Sequence, residues 1–146
     1  IELKKSLLGQ NFSKLKEIKQ EVKFGENTRF DFLVTSENKK TFIEVKNVTL
    51  SRKKGLAEFP DAITSRGLKH INELLKANKK GFEIYLFYVI QRDDCMKFDL
   101  AKDIDPDYCE LLLKAVKKNL NILCYDCKFS TKGIKLNRKI KLNFNE

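Results

Sequence analysis

The spacing of apolar positions changes period several times along the chain, and each change marks an element. Leu3, Leu7 and Leu8 fall at helical spacing ahead of Gly9 and predict a short amphipathic helix over residues 2 to 9. Ile18 to Phe24 and Arg29 to Val34 read as extended stretches on either side of Gly25-Glu-Asn-Thr28, a turn-rich spacer that suits a β-hairpin. Thr41 to Val45 predicts a third strand after the polar stretch from Ser36 to Lys40. Residues 51 to 60 hold Ser51-Arg-Lys-Lys-Gly55 and Pro60 without a clear period, so they predict a basic loop outside the core. From Asp61 to Ala77, Ile63, Leu68, Ile71, Leu74 and Leu75 form a helical stripe that Asn78-Lys-Lys-Gly81 ends.

Phe82 to Ile90 is an almost unbroken run of aromatic and β-branched residues, the pattern of a central strand covered on both faces. A helix after Pro106 carries Leu111, Leu112, Ala115 and Val116, a strand follows from Ile122 to Tyr125, and Ile134 to Phe144 alternates apolar and basic residues as an edge hairpin would. The order αβββαβ, followed by a further α/β extension, predicts an α/β (α+β) domain with a mixed sheet and flanking helices.

Composition narrows the class. A chain of 146 residues with 42% hydrophobic and 34% charged residues, 11 Phe and 4 Tyr is sized for one domain with an ordinary core, not for disorder. Six Gly leave no Walker or dinucleotide fingerprint. An apolar run of membrane-spanning length and a signal peptide are both absent, so the expectation is a soluble cytoplasmic protein with no membrane partner. The first residue is Ile1 rather than Met, which reads as a processed, truncated or excised piece. Cys124-Tyr-Asp-Cys127 has the spacing of a zinc pair, but it lies on a predicted strand where residues three apart face opposite ways. No structural zinc is expected, and the four Cys read as reduced thiols.

Candidate chemistry lies on the second and third strands. Alternation puts Arg29, Asp31 and Leu33 on one face and Phe30, Phe32 and Val34 on the other; on the next strand Phe42, Glu44 and Lys46 share a face. If the strands are neighbours, two carboxylates and a lysine meet in a partly apolar setting. Like charges there repel and lose solvation, and a divalent cation relieves both costs. Mg²⁺ needs only one or two protein carboxylates together with waters and a phosphate oxygen, so Asp31 and Glu44 are a sufficient pair. Lys46 is placed to orient or deprotonate an attacking water, and the class of reaction predicted is metal-assisted phosphodiester hydrolysis. An exposed amphipathic strand with an outward charge pair carries the same Glu-x-Lys pattern.

Longer blocks add to this. Arg29-Phe-Asp-Phe-Leu33, Ile43-Glu-Val-Lys-Asn-Val-Thr-Leu50, Phe59-Pro-Asp-Ala-Ile-Thr-Ser-Arg-Gly67, Lys69-His70 and Ile104-Asp-Pro-Asp-Tyr108 resemble, in this order, the signature blocks of the sugar fermentation stimulation protein A family. The resemblance implies a restriction-endonuclease-like fold with a PD-(D/E)xK-type site in which Asp31, Glu44 and Lys46 are the catalytic set, with Phe30 where the usual motif has Pro. It also implies that the chain corresponds to the nuclease-like half of family members, whose additional N-terminal OB-like domain would precede it. The family is described as DNA-binding and is tied to regulation of sugar use. Around the central set, Glu21 is a candidate third metal carboxylate and Glu2 a candidate helix carboxylate, while Asp61, Arg66 and His70 share one family-like block. Arg66 is placed to clamp a phosphate and His70 to make a polar contact to DNA; for His70 a hydrogen-bonded structural role is favoured over a catalytic one.

Charge points to the partner. Lys plus Arg number 30 against 20 acids, a net charge of +10. Residues 91 to 110 hold seven acids and three bases, so the remainder carries +14. Six bases and no acid lie between Lys128 and Lys141, and Arg52, Lys53 and Lys54 follow the Glu44 strand directly. These stretches, with Arg29, are candidates for contacts to the DNA phosphate backbone that give affinity without sequence reading. The function expected is a DNA-binding protein with a Mg²⁺- or Mn²⁺-dependent nuclease site. The alternative is a non-enzymatic, non-specific DNA-binding regulator of sugar metabolism genes with a vestigial site.

Overall fold

The structure is a computed structural model and describes residues 15–145. In chain order the described elements are β1 (Leu15–Phe24), β2 (Thr28–Ser36), β3 (Lys40–Val48), β4 (Leu50–Lys53), β5 (Leu56–Phe59), α1 (Ser65–Lys79), β6 (Glu83–Ile90), β7 (Lys97–Leu100), α2 (Pro106–Lys117), β8 (Asn121–Ser130), β9 (Gly133–Lys139) and β10 (Lys141–Leu142), with a closing 3-10 turn at Asn143–Asn145. The helix predicted over residues 2 to 9, and Glu2 with it, lies outside the described residues.

Two mixed sheets result. The larger runs β1-β2-β3-β6-β8-β9, and the smaller β10-β7-β5-β4. β1, β2 and β3 are antiparallel, β3, β6 and β8 are parallel, and β9 returns antiparallel on β8. The Phe82–Ile90 run earns its central place: Ile84, Leu86, Tyr88 and Ile90 join the core shared with both helices, while Phe87 and Val89 join a second core on the other face. Both helices start on side-chain caps. The Thr64 hydroxyl accepts the Gly67 N–H at 2.9 Å, and the Asp105 carboxylate accepts the N–H of Tyr108 at 3.1 Å and of Thr64 at 2.8 Å, so one buried Asp fixes the starts of α1 and α2 together.

Several expectations shift. Residues 51 to 60 are not a loop outside the core but most of the β4–β5 hairpin, with Ala57 and Glu58 buried. Four-residue strands are too short to show a period, and the buried Glu58 is made tolerable by Arg52, which the sequence pattern cannot reveal. α1 begins at Ser65 rather than Asp61, and Ile63 is 81% exposed ahead of its cap. β7 lies inside the acidic stretch, where charge masked a strand. The tail does form an edge strand on β8, but β10 then crosses to the smaller sheet and pairs in parallel with β7. On β8, Cys124 belongs to the helix-side core and Cys127 to the opposite one; all four Cys are free and buried. No helix among the described residues is long and apolar enough to cross a membrane.

Candidate functional site

The site begins where the sheet comes apart. β2 and β3 pair from Thr35 with Lys40 to Phe32 with Ile43, and there the ladder stops. Beyond it, two residues on along β3 and one along β2, the Val45 N–H is taken by the Asp31 side chain instead of main chain, with Oδ2 at 2.7 Å. The facing pattern breaks at the same residue. Phe30 packs in the helix-side core, whereas Phe32 and Val34 pack in the opposite one, so the strict alternation expected for these three does not hold. The cause is on β1. Glu21, between the pairs Gln20–Phe32 and Val22–Phe30, has φ +49°, a left-handed conformation that turns the ribbon over. β3 keeps its parallel pairing with β6 from Thr41 to Val48, so Glu44 and Lys46 ride on a fixed strand while Asp31 closes the gap beside it.

Glu44 and Lys46 face α1, on the same side as Phe42, as alternation predicts. Glu44 is only 4% exposed, and its Oε2 has no hydrogen-bond partner. Burial first, and then the Asp31 carboxylate within hydrogen-bonding reach, push the Glu44 carboxyl up to about 9, so the apoprotein keeps a proton there at neutral pH. His70, on α1, sets Nδ1 2.8 Å from Lys46 Nζ and 3.4 Å from Glu44 Oε2. Burial, and then the cations Lys46 and Arg66, hold His70 down at about 4, so its imidazole is neutral and Nδ1 is free to accept from the Lys46 ammonium. Burial also lowers Lys46, against the pull of Glu44. The arrangement is a buried Glu44 carboxyl with one oxygen lacking a donor, beside the half-buried Asp31 and backed by a lysine whose proton is easier to lose than usual.

The remaining sequence candidates divide. Arg29, Arg66 and His70 line one cavity of about 540 Å³ between α1 and the β1–β2 turn, together with Lys23 and Lys69, which the sequence reading passed over. Lys23 is the cross-strand partner of Arg29, and Lys69 lies one turn from Arg66; hairpin register and helical spacing were the signals that pointed there. Lys53 and Lys54 are exposed at the β4–β5 turn, and Asp61 is exposed ahead of α1. Arg52 does not offer a free guanidinium. It donates to Glu58 at 3.0 and 2.8 Å and to Asp103 at 2.6 and 2.8 Å, a double fork that ties β4 to the loop before α2. Glu21 is exposed, and among the described residues no group of three or more His, Cys, Asp and Glu side chains is arranged to hold a metal ion. The carboxylates that converge are Asp31 and Glu44.

Residues 2–133 match the family model described as the sugar fermentation stimulation protein RE domain. The chain belongs to the sugar fermentation stimulation protein family. Family homologues from Pelagibacter ubique and from a Ruegeria species are 50% and 42% identical to it over 125 and 126 residues; each match covers 86% of this chain and 54% of the relative. A homologue from Agrobacterium fabrum is 38% identical over 127 residues, 86% of this chain and 53% of that protein. The chain thus spans about half the length of its curated family relatives. Among solved structures, SfsA of Pyrococcus furiosus in complex with Ca²⁺ superposes with a TM-score of 0.85 at 25% identity, over 97% of this chain and 61% of that one. The mixed α/β architecture is that of the family.

Proposed function

We propose that this chain is a restriction-endonuclease-like, PD-(D/E)xK-type domain that hydrolyses DNA phosphodiesters with the help of a divalent cation. One observation carries the reading: Glu44 Oε2 is buried with no donor and sits beside the Asp31 carboxylate. A buried, unpaired carboxylate oxygen is costly, and a cation is the partner that turns the cost into binding. Asp31 and Glu44 would hold Mg²⁺ or Mn²⁺; the Ca²⁺ complex of the Pyrococcus furiosus relative supports a divalent ion in this family. When bound, the cation supplies a polarised water and charge for the phosphoryl oxygens.

The chain's own groups do the rest. Asp31 keeps Oδ2 on the Val45 N–H, which holds its carboxylate in place beside Glu44. Release of the Glu44 proton prepares both carboxylates for the ion. Lys46, held between Glu44 and His70, gives or takes a proton at the attacking side and stabilises negative charge gathering on the phosphate. His70 orients the Lys46 ammonium through Nδ1. The Arg29 and Arg66 guanidiniums in the adjoining cavity suit the neighbouring phosphates.

The test is incubation with circular and linear DNA in Mg²⁺ or Mn²⁺ beside Asp31→Ala and Glu44→Gln. Cleavage by the native protein and a loss of at least about a hundredfold in both variants are expected. Equal cleavage by Asp31→Ala would remove the site assignment, and no cleavage in either metal would leave a DNA-binding regulator with a vestigial site.

A further inference from the structure

The cavity beside His70 does not end there. A second concavity of about 470 Å³ shares Glu26 and Asn27 with it and continues past Lys76, Lys79 and Lys80. Together they form a groove between α1 and the β1–β2 turn, lined by seven cations against two carboxylates, Glu26 and Glu73. Along α1 and its C-terminal cap the lining residues Arg66, Lys69, Glu73, Lys76 and Lys80 recur at intervals of three and four, so they form one stripe along the helix. From Arg66 to Lys80 the stripe runs roughly 20 Å at 1.5 Å per residue, long enough for several phosphates of one strand. Its wall is braced, because Lys69 Nζ donates to the Asn27 carbonyl at 2.9 Å and Lys80 sits 5.2 Å above the Phe24 ring. One end opens at His70, the residue that touches both Lys46 and Glu44.

We infer that this groove is a track for the phosphate backbone of a DNA strand, leading from the C-terminal end of α1 into the Asp31–Glu44 site. The inference rests on the nuclease reading for its destination and adds to it the path and the binding surface. Charge complementarity selects the occupant: a regular polyanion matches cations spaced along a helix, whereas a single small anion would leave the far lysines unused. The track also sets apart the six bases between Lys128 and Lys141, which lie on β8, β9, β10 and the β8–β9 turn and line neither cavity.

The 146-residue chain is tested in EDTA, so that binding is read without cleavage, using a fluorescein-labelled oligonucleotide both single-stranded and in a duplex. Affinity is measured by anisotropy from about 50 to 200 mM salt, where each phosphate contact contributes roughly 0.7 to 0.9 to the log–log slope. One variant combines Lys76→Gln, Lys79→Gln and Lys80→Gln; a control of equal charge combines Lys128→Gln, Lys132→Gln and Lys139→Gln, and circular dichroism verifies folding of both. The expected result is a slope shallower by about 2 to 3 for the α1 variant and little changed for the control. An unchanged slope in the α1 variant, or an equal fall in both, overturns the track while leaving the nuclease reading intact. No DNA binding by the native chain would overturn both. Comparison of the two oligonucleotide forms states whether the strand enters single or paired.

Discussion

Replacing Glu44 by Gln should make the protein more stable at alkaline pH, and the amount follows from the site. The Glu44 carboxyl is held at about 9 by burial and by Asp31, against 4.5 in an unpaired carboxyl. A folded-state value above the unfolded one means that stability is complete below 4.5 and falls as pH rises, until the loss saturates above about 9. His70 acts with the opposite slope in a different window: held at about 4 against 6.5, it loses stability as pH falls from 6.5 towards 4. Between pH 6.5 and 9 the Glu44 slope is therefore free of His70. Lys46, lowered chiefly by burial and raised by Glu44, is present in both proteins, so the difference between them reads the titration of Glu44 together with its effect on Lys46. One proton over two pH units is worth about 3 kcal/mol at roughly 1.4 kcal/mol per unit. Urea unfolding of the native chain and Glu44→Gln in EDTA at pH 6.5 and 8.5 should show the variant gaining about 3 kcal/mol on the native protein between the two. A gap that stays within about 0.5 kcal/mol would refute the claim that the fold traps a proton on Glu44. The same linkage predicts that affinity for Mg²⁺ rises by up to about tenfold per unit over this range in the native chain, and that Glu44→Gln abolishes this rise in titration calorimetry.

Other substitutions probe the frame around the site. Gly67→Ala places a Cβ 2.8 Å from both Thr64 Cγ2 and Tyr108 Cε2, so the capping threonine and the buried ring must give way, at a cost of about 1–3 kcal/mol in urea unfolding. Arg138→Ala removes the fork that meets the fully buried Asp126 at 2.9 and 2.8 Å and leaves that carboxylate with the residue 138 main-chain N–H alone; a loss of about 3 kcal/mol is expected, recovered in part by Asp126→Asn in the double variant. Arg52→Ala should lower the melting temperature by loosening β4 from the loop before α2 while leaving DNA affinity unchanged, since two edges of its guanidinium are already engaged; a large loss of affinity in anisotropy would return Arg52 to the DNA contacts.

How much of this was legible in the sequence varies with the length and regularity of each element. The β1–β2 hairpin, β3, β6 and both helices announced themselves because their patterns run long enough to have a period. β4, β5 and β7 did not, because each has four residues, too few to show a period, and the β4–β5 hairpin is anchored by the pairing of β5 with β7 some forty residues away, which no local pattern carries. At the site, Glu44 and Lys46 followed from simple alternation on β3, which stays regular because β6 supports its whole length. Asp31 was found by its type and setting, but its position depends on a left-handed Glu21 one strand away, and the failed alternation of Phe30 and Phe32 is the trace of that irregularity. His70 was favoured as structural. It is indeed hydrogen-bonded and buried, yet what it bonds is Lys46, a relation between a helix and a strand that becomes visible only when the two are packed.

The side chain that ends the β2–β3 ladder has a bearing on descent. Because an Asp31 oxygen stands in for a main-chain acceptor on Val45, selection for a foldable sheet preserves this residue whether or not the protein cuts anything. A lineage that abandoned catalysis would still be held to aspartate here, whereas Lys46 bonds only a side chain and would be released to drift. On the nuclease reading, a retained lysine would therefore be the better witness to catalysis in members of this family, and the aspartate testifies first to the sheet.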